Sequence, residues 1–390
     1  MRNCGRAVKR RGRFGMTDIP FDRIFAGKRL FVTGHTGFKG SWLSLWLAEL
    51  GAEVHGYALE PATEPNLFVQ AGVMDCLASH RIADVRDYSS LCHAMSEVRP
   101  EIVFHLAAQP LVRQSYSEPR ETYETNVMGT VNLLEAVRHT DSVRVCQVIS
   151  SDKCYENREW VYAYRENDPM GGHDPYSNSK GCTELVVSAY RNSFFHSEKI
   201  AEHAVSLASS RAGNVIGGGD WADDRIIPDC VRALLAGETI EVRNPHAIRP
   251  WQHVLEPLSG YLWLAAMQWN HPGMYEEGWN FGPSWAGNVN VRQIVEQTIR
   301  AWGDGEWHAL EDNHDVLHEA NFLKLDITKA NSLLSWRPVC SVHEAVVDTM
   351  KWYRSYHDRS DNMQRFTLAQ IEHYYHKAKE QRLAWATYDE

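Results

Sequence analysis

No stretch of this 390-residue chain approaches the roughly 20 uninterrupted apolar residues that a membrane-spanning helix requires. Paired cysteines are missing too. Cys4, Cys76, Cys92, Cys146, Cys154, Cys182, Cys230 and Cys340 form no CxxC unit and read as scattered, reduced thiols. Neither HExxH nor a paired Cys/His spacing occurs, so no metal centre is expected. His35, His105 and His173 stand near the motifs below and read as structural. Positive charge is in deficit, at a formal net charge of -10. Arg2, Arg6, Lys9, Arg10, Arg11 and Arg13 crowd into the first 15 residues, so the rest is more acidic still. That balance excludes a nucleic-acid surface on the folded body. The basic run has no apolar segment and does not read as a secretory signal. Residues 1–27 are expected to be an extension without fold, and the protein to be cytoplasmic.

What is present is an alternation. Residues 28–33 form a short apolar run that ends in a glycine cluster. From Ser41, Trp42, Leu43, Leu45, Trp46, Leu47 and Leu50 recur at helical spacing until Gly51 stops them. Residues 52–59 read as a second strand, which completes a βαβ unit. Strands at 101–106, 143–150 and 202–209 then alternate with helices at 122–137 and 176–195. The pattern predicts an α/β fold: a Rossmann-type, doubly wound parallel sheet covered on both faces. Beyond residue 213 the texture loosens. Helices at 226–235, 257–269, 289–302 and 342–356 suggest a smaller C-terminal α/β substrate-binding domain over 214–390, after a Rossmann domain over 28–213. The segment 361–390 reads as helical and solvated. It has no assigned role.

Two motifs carry chemistry. Gly34, Gly37 and Gly40, with Phe38 and Lys39 between them, join the first strand to the first helix. Such glycines allow a tight turn and close approach of a pyrophosphate to the helix N-terminus. Tyr176 and Lys180 lie four residues apart on a predicted helix and so point the same way. A nearby ammonium favours a phenolate able to take a hydroxyl proton.

The glycine spacing resembles the extended short-chain dehydrogenase/reductase family, and further motifs follow in that family's order. Asp84-Val85-Arg86-Asp87, His105-Leu106-Ala107-Ala108 and Asn126-Val127-Met128-Gly129-Thr130 resemble its cofactor-lining segments. The resemblance implies NAD, contacted by Asp84, Val85, Leu106, Ala107, Ala108, Asn126, Tyr176 and Lys180. One departure stands out. The second strand ends in Tyr57-Ala58-Leu59 without the usual ribose-binding acid, Glu60 comes slightly late, and no Arg or Lys is there to favour NADP. Ser151 would complete the Ser–Tyr–Lys triad.

Ser151-Asp152-Lys153 is similar to the T-D-E tripeptide of the family's sugar-nucleotide 4,6-dehydratases. This likeness implies that Asp152, its pKa raised by burial, protonates the departing C6 hydroxyl. Lys153 would take the C5 proton as a neutral amine, with Lys180 as a candidate neighbouring cation. The runs 34–42, 151–157, 211–221 and 249–254 together resemble the branch that acts on CDP-glucose, where Lys replaces Glu. Asn214, Arg249 and Asn280 match nucleotide-holding positions, and Arg225 and Arg243 are further candidates. Trp221 and Trp251 would border base or sugar, or pack in the core. The family further implies a homodimer or a higher homo-oligomer, with Leu133, Val137, Leu185 and Ala189 on the shared face or, equally, in an internal core. The rival readings are a dehydratase or 4-epimerase for another nucleotide sugar, or an inactive NAD-binding sensor.

Overall fold

A computed structural model describes residues 20–310 and 322–387; the basic run at the N-terminus lies outside the described residues. Seven parallel strands form the central sheet. In chain order the first six are β1 (Arg29–Thr33), β2 (Glu53–Ala58), β3 (Ser79–Ile82), β4 (Ile102–His105), β5 (Val145–Ile149) and β6 (Ser206–Arg211). A seventh strand, Gly278–Asn280, pairs with β6. The spatial order is β3-β2-β1-β4-β5-β6 and then the seventh strand. The order reverses between β1 and β4, and a ligand crevice opens at the carboxyl ends beside such a switch point.

Strand alternation sorts the core onto two faces. Leu30 and Val32 of β1, with Ile102 and Phe104 of β4, pack on one face against Trp42, Leu43 and Trp46 of the first helix (Phe38–Glu49). Phe31, Val103, Cys146 and Leu207 point the other way, toward Leu91, Leu133, Val137 and Val187. Every one of these side chains is buried, as a doubly covered parallel sheet requires.

Several boundaries differ from the sequence reading for physical reasons. The first helix starts at Phe38, because Gly37 already holds the extended N-cap conformation. The helix expected over 122–137 is present but carries a π-helical turn. Pro119–Tyr123 runs into a π-helical turn over Glu124–Met128 before the α-helix resumes at Gly129–Arg138. β6 begins only at Ser206, since Ala204 takes a left-handed conformation after a short helix, Ile200–His203. Leu133 and Val137 belong to the internal core, whereas Leu185 and Ala189 are exposed.

The segment after residue 361 is not simply solvated. Its helix, Met363–Glu380, buries Ile371, Tyr374, Tyr375 and Ala378. Trp385 follows it, stacked on Phe21 at 5.1 Å and on Tyr374 at 5.8 Å, with its edge to Trp46 at 6.2 Å. The Phe21 N–H donates to the Trp385 carbonyl at 2.9 Å. Both ends of the described chain therefore close over the first helix, and residues 20–27, expected to belong to an extension without fold, are instead part of the core through Phe21, Ile24 and Phe25. Trp385→Ala should lower stability by about 3–5 kcal/mol, as a large buried aromatic does when truncated. Urea denaturation followed by tryptophan fluorescence checks this, and a loss under about 1 kcal/mol would remove the segment from the core.

Candidate active site

A cleft of about 610 Å³ runs along the carboxyl ends of the strands. At one end lies the glycine turn. Gly34 has a φ of +75°, and a Cβ there would stand 2.7 Å from the Ala107 nitrogen. A Cβ on Gly40 would stand 2.1 Å from the Gly34 carbonyl oxygen. The turn therefore closes only with these glycines, leaving its backbone bare at the N-terminus of the first helix. Behind it, Thr33 Oγ1 and His105 Nδ1 share a hydrogen bond at 2.7 Å, and the Ala107 N–H donates to Thr33 Oγ1 at 3.2 Å. Burial pushes His105 down to about 3, so it sits neutral inside the fold. His35 is likewise pushed down to about 4, by burial and by His80, whose Nδ1 lies 2.7 Å from its Nε2. His173 is exposed.

The same end of the cleft is lined by Ala58, Leu59, Glu60, Asp84, Val85, Leu106, Ala107 and Ala108. Asp84 accepts from the Arg86 backbone and side chain at 2.8 Å; burial pushes its pKa up, but these bonds outweigh it and hold the carboxylate low. Among the described lining residues from 58 to 85 there are two acids and no cation. A dinucleotide with a free ribose hydroxyl fits such a pocket, and an added 2′-phosphate does not. Glu60, late by sequence spacing, reaches the cleft after all. Asn126 does not: it is buried, bonded to Gln109 and to Ser179 Oγ, and the π-helical turn presents Thr125 to the cleft in its place.

Ser151, Asp152, Lys153, Tyr176 and Lys180 meet in the middle of the cleft. The first three follow β5, where Ser151 caps a short turn over Asp152–Cys154. Tyr176 and Lys180 ride the helix Pro175–Ser193, which starts with Asp174 as N-cap and Pro at its first position. Asp152 is 2% exposed. Its Oδ1 accepts from Ser151 Oγ at 3.0 Å and its Oδ2 from Asn214 Nδ2 at 3.3 Å. The carboxylate fits only because residue 213 is glycine, where a Cβ would lie 1.8 Å from Oδ2.

Electrostatics here departs from the sequence reading. Burial raises Tyr176 to about 12, and the groups pulling it back are Ser151 and Arg225, with Lys180 absent from its main influences. Lys180 is lowered to about 8 by burial, opposed mainly by the carboxylate of Glu184, one helical turn on. Glu184 is buried and bonded at 2.7 Å to both Arg211 and Ser209. Sequence reading missed Glu184, although its spacing, four residues after Lys180, was visible. Lys39, on the cofactor turn, lies within electrostatic reach of Arg225, Asp152 and Lys180. Burial and the neighbouring Arg225 push it down to about 8, while Asp152 acts in the opposite direction.

At the far end, Asn214, Arg225, Arg243 and Arg249 line the cleft beside Trp221 and Trp251. Arg225 pairs with Asp220 at 2.8 Å, and Arg243 with Asp224 at 2.9 Å. Arg113, unforeseen from sequence, reaches Asp224 from the opposite wall at 3.4 Å. Both tryptophans are buried and also border the cleft, so the two alternatives for them coincide. Asn280 is a correction. It lies wholly inside the fold, accepting from Tyr155 Oη at 2.7 Å and donating to the carbonyls of Tyr164 and Asp326. Its amide holds loops together rather than facing the cleft.

Gly40→Ala should abolish dinucleotide binding and, because its Cβ would meet backbone atoms, also lower the thermal transition. Fluorescence titration with NAD checks this, and wild-type affinity in the variant would detach the turn from binding.

Comparison with known proteins agrees with this geometry. The sequence family described as GDP-mannose 4,6 dehydratase matches residues 31–349. CDP-glucose 4,6-dehydratase of Salmonella typhimurium is 54% identical over 334 residues, covering 85% of this chain and 92% of that protein. UDP-glucose 4-epimerase of Mycoplasma pneumoniae is 26% identical over 70% of this chain and 82% of its own. Among solved structures, dTDP-glucose 4,6-dehydratase of Streptomyces venezuelae superposes with a TM-score of 0.71 at 24% identity, covering 85% of this chain and 98% of that one. The glycine turn, the Tyr–Lys helix and the family match over most of the chain lead to one conclusion: this chain belongs to the GDP-mannose 4,6-dehydratase family of extended short-chain dehydrogenase/reductases.

Proposed function

We propose that the chain is a cytoplasmic sugar-nucleotide 4,6-dehydratase, converting CDP-D-glucose to CDP-4-keto-6-deoxy-D-glucose and water. The observation that carries this reading is the seating of Asp152 and Lys153 beside Ser151 and Tyr176 at one strand end. A 4-epimerase needs only a group for oxidation, whereas elimination of water needs an acid and a base as well. The relative that is 54% identical carries the name of this activity. The retained Tyr176 and Lys180 argue against an inactive sensor.

Gly34, Gly37, Gly40, Asp84 and Val85 would hold NAD, with Tyr176 and Lys180 at its reactive end. When bound, NAD supplies a hydride acceptor that later becomes a donor, and a positive ring that favours loss of the C4 hydroxyl proton. Tyr176 takes that proton. The resulting 4-keto group acidifies C5–H, and Lys153 would take that proton and later restore it. Asp152 protonates the C6 hydroxyl as it leaves. Asn214, Arg225, Arg243 and Arg249 would hold the nucleoside diphosphate through charge-assisted hydrogen bonds. Residues 28–213 would form the cofactor domain and 214–390 mainly the substrate domain, with the seventh strand returned to the main sheet. Exposed Leu185 and Ala189 on the Tyr–Lys helix suit the face of a homodimer.

Incubation with CDP-glucose should give an alkali-sensitive 4-keto product without net formation of reduced cofactor. Conversion of UDP-glucose to UDP-galactose, with no such product, would overturn the reading. Asp152→Asn should slow product formation by about 10²–10⁴-fold, the usual worth of a general acid. Reduced nicotinamide should accumulate in that variant, visible by its absorbance; wild-type rates would exclude Asp152.

Lys180, at about 8, is protonated below that pH and neutral above it. The kcat/KM of the free enzyme should therefore fall as pH rises through about 8. Glu184→Gln removes the carboxylate that supports the ammonium, and should move this limb down by about one pH unit. Circular dichroism verifies folding, since a broken buried pair costs about 3–5 kcal/mol. A folded variant with an unmoved limb would contradict the role.

A further inference from the structure

Of the run 249–254, Arg249 and Trp251 line the cleft, and Gln252 stands behind them, outside its lining. Gln252 is 2% exposed, and an amide is buried at low cost only where its donors are bonded. Both donors go to carbonyls distant in the chain. Gln252 Nε2 donates to Gly213 at 3.2 Å and to Phe281 at 3.0 Å. The Gln252 N–H donates to the Asn214 carbonyl at 3.3 Å. Residues 213 and 214 follow β6, and Phe281 follows the seventh strand. One side chain therefore ties together the ends of two neighbouring strands.

The 213–214 turn is also the seat of Asp152, whose part in losing water rests on the function proposed above. The carboxyl group is held from three sides. Ser151 Oγ donates to Oδ1 at 3.0 Å, Asn214 Nδ2 donates to Oδ2 at 3.3 Å, and the bare Gly213 backbone forms the floor. Two of these three contacts come from the turn that Gln252 holds. That turn is under strain, because Asn214 has a φ of +46°, in the left-handed region. Val215 and Ile216, which follow it, pair with Gln252 and His253, so the backbone reinforces the side-chain clamp. Tyr176 and Lys180, in contrast, ride a separate helix, Pro175–Ser193.

We infer that Gln252 is a positioning residue for the elimination step: by clamping the 213–214 turn, it sets where the Asp152 carboxyl meets the C6 hydroxyl. Loosening the turn displaces Asp152 and leaves the Tyr–Lys helix in place. The consequence is selective. Hydride transfer from C4 proceeds, whereas loss of water slows, since a misplacement of about 1 Å can cost about 10²-fold in rate. A residue that merely filled the core would lower stability and slow both steps alike.

Stopped-flow absorbance of NAD-loaded enzyme mixed with CDP-glucose separates the two steps. Gln252→Met keeps the length of the side chain and removes both donors. Reduced nicotinamide should appear in this variant at the wild-type rate, then decay about 10–10²-fold more slowly. The kcat should fall to match, without a rise in KM. Gly213→Ala, whose Cβ would stand 1.8 Å from Asp152 Oδ2, displaces the same carboxyl with Gln252 intact and should give the same signature. Gln252→Asn holds its donors one methylene short of their carbonyls and should show a smaller delay of the same kind. It carries the test if circular dichroism finds Gln252→Met unfolded. Wild-type kinetics in a folded Gln252 variant would overturn the assignment. Equal slowing of nicotinamide reduction and reoxidation, or a raised KM at wild-type kcat, would overturn it too. Absence of the 4-keto product from wild-type enzyme would instead overturn the dehydratase reading.

Discussion

The ion pair between Glu184 and Arg211 underlies the rest of the site. It is buried, at 2.7 Å, where the Tyr–Lys helix crosses the end of β6. Such a pair contributes little net stability, but breaking it leaves an uncompensated buried charge. That asymmetry fixes the helix relative to the sheet. On one side Glu184 gives Lys180 its counter-charge. On the other, Arg211 donates to Tyr155 Oη at 2.7 Å, and Tyr155 donates to Asn280. Asn280 then gathers the loops at Tyr164 and Asp326. A single charge pair thus links the catalytic helix to the loops over the seventh strand.

The second constraint is steric. Asp152 occupies space that any side chain at residue 213 would fill. Gly34, beside Ala107, clears the other end of the cleft in the same way. Two close backbone approaches therefore mark where the cofactor turn and the elimination acid sit. Between them stand Ser151, Tyr176 and Lys180, all buried. Removing water from such a set strengthens each charge interaction and limits proton exchange with solvent.

Much of this was legible in the sequence because local spacing encodes it. The apolar run before Gly34 and the helical recurrence from Trp42 identify a βαβ unit, and Tyr176 with Lys180 needs only the helical period. What was not legible depends on long-range contacts. Asn280 resembles a ligand-binding residue in its motif, but the packing of 155–166 against the seventh strand turns its amide inward. Asn126 is drawn away from the cleft by a π-helical turn that no periodicity signals. Arg113 and Asp224 lie far apart in the chain and meet only across the cleft. The segment around Trp385 reads as polar because its apolar residues are spread along one helical face. The effect of burial on Tyr176 also depends on enclosure, which spacing cannot convey.

The central claim is that oxidation at C4, loss of water and reduction at C6 occur on one sugar without its leaving the cleft. The direct measurement follows CDP-glucose carrying deuterium at C4, mixed with unlabelled substrate of distinguishable mass, by mass spectrometry and NMR of the product. The account predicts deuterium at C6 of the sugar that first carried it, with no crossing to the other substrate. Deuterium lost to water, found on the second sugar, or still at C4 of an epimer would contradict it.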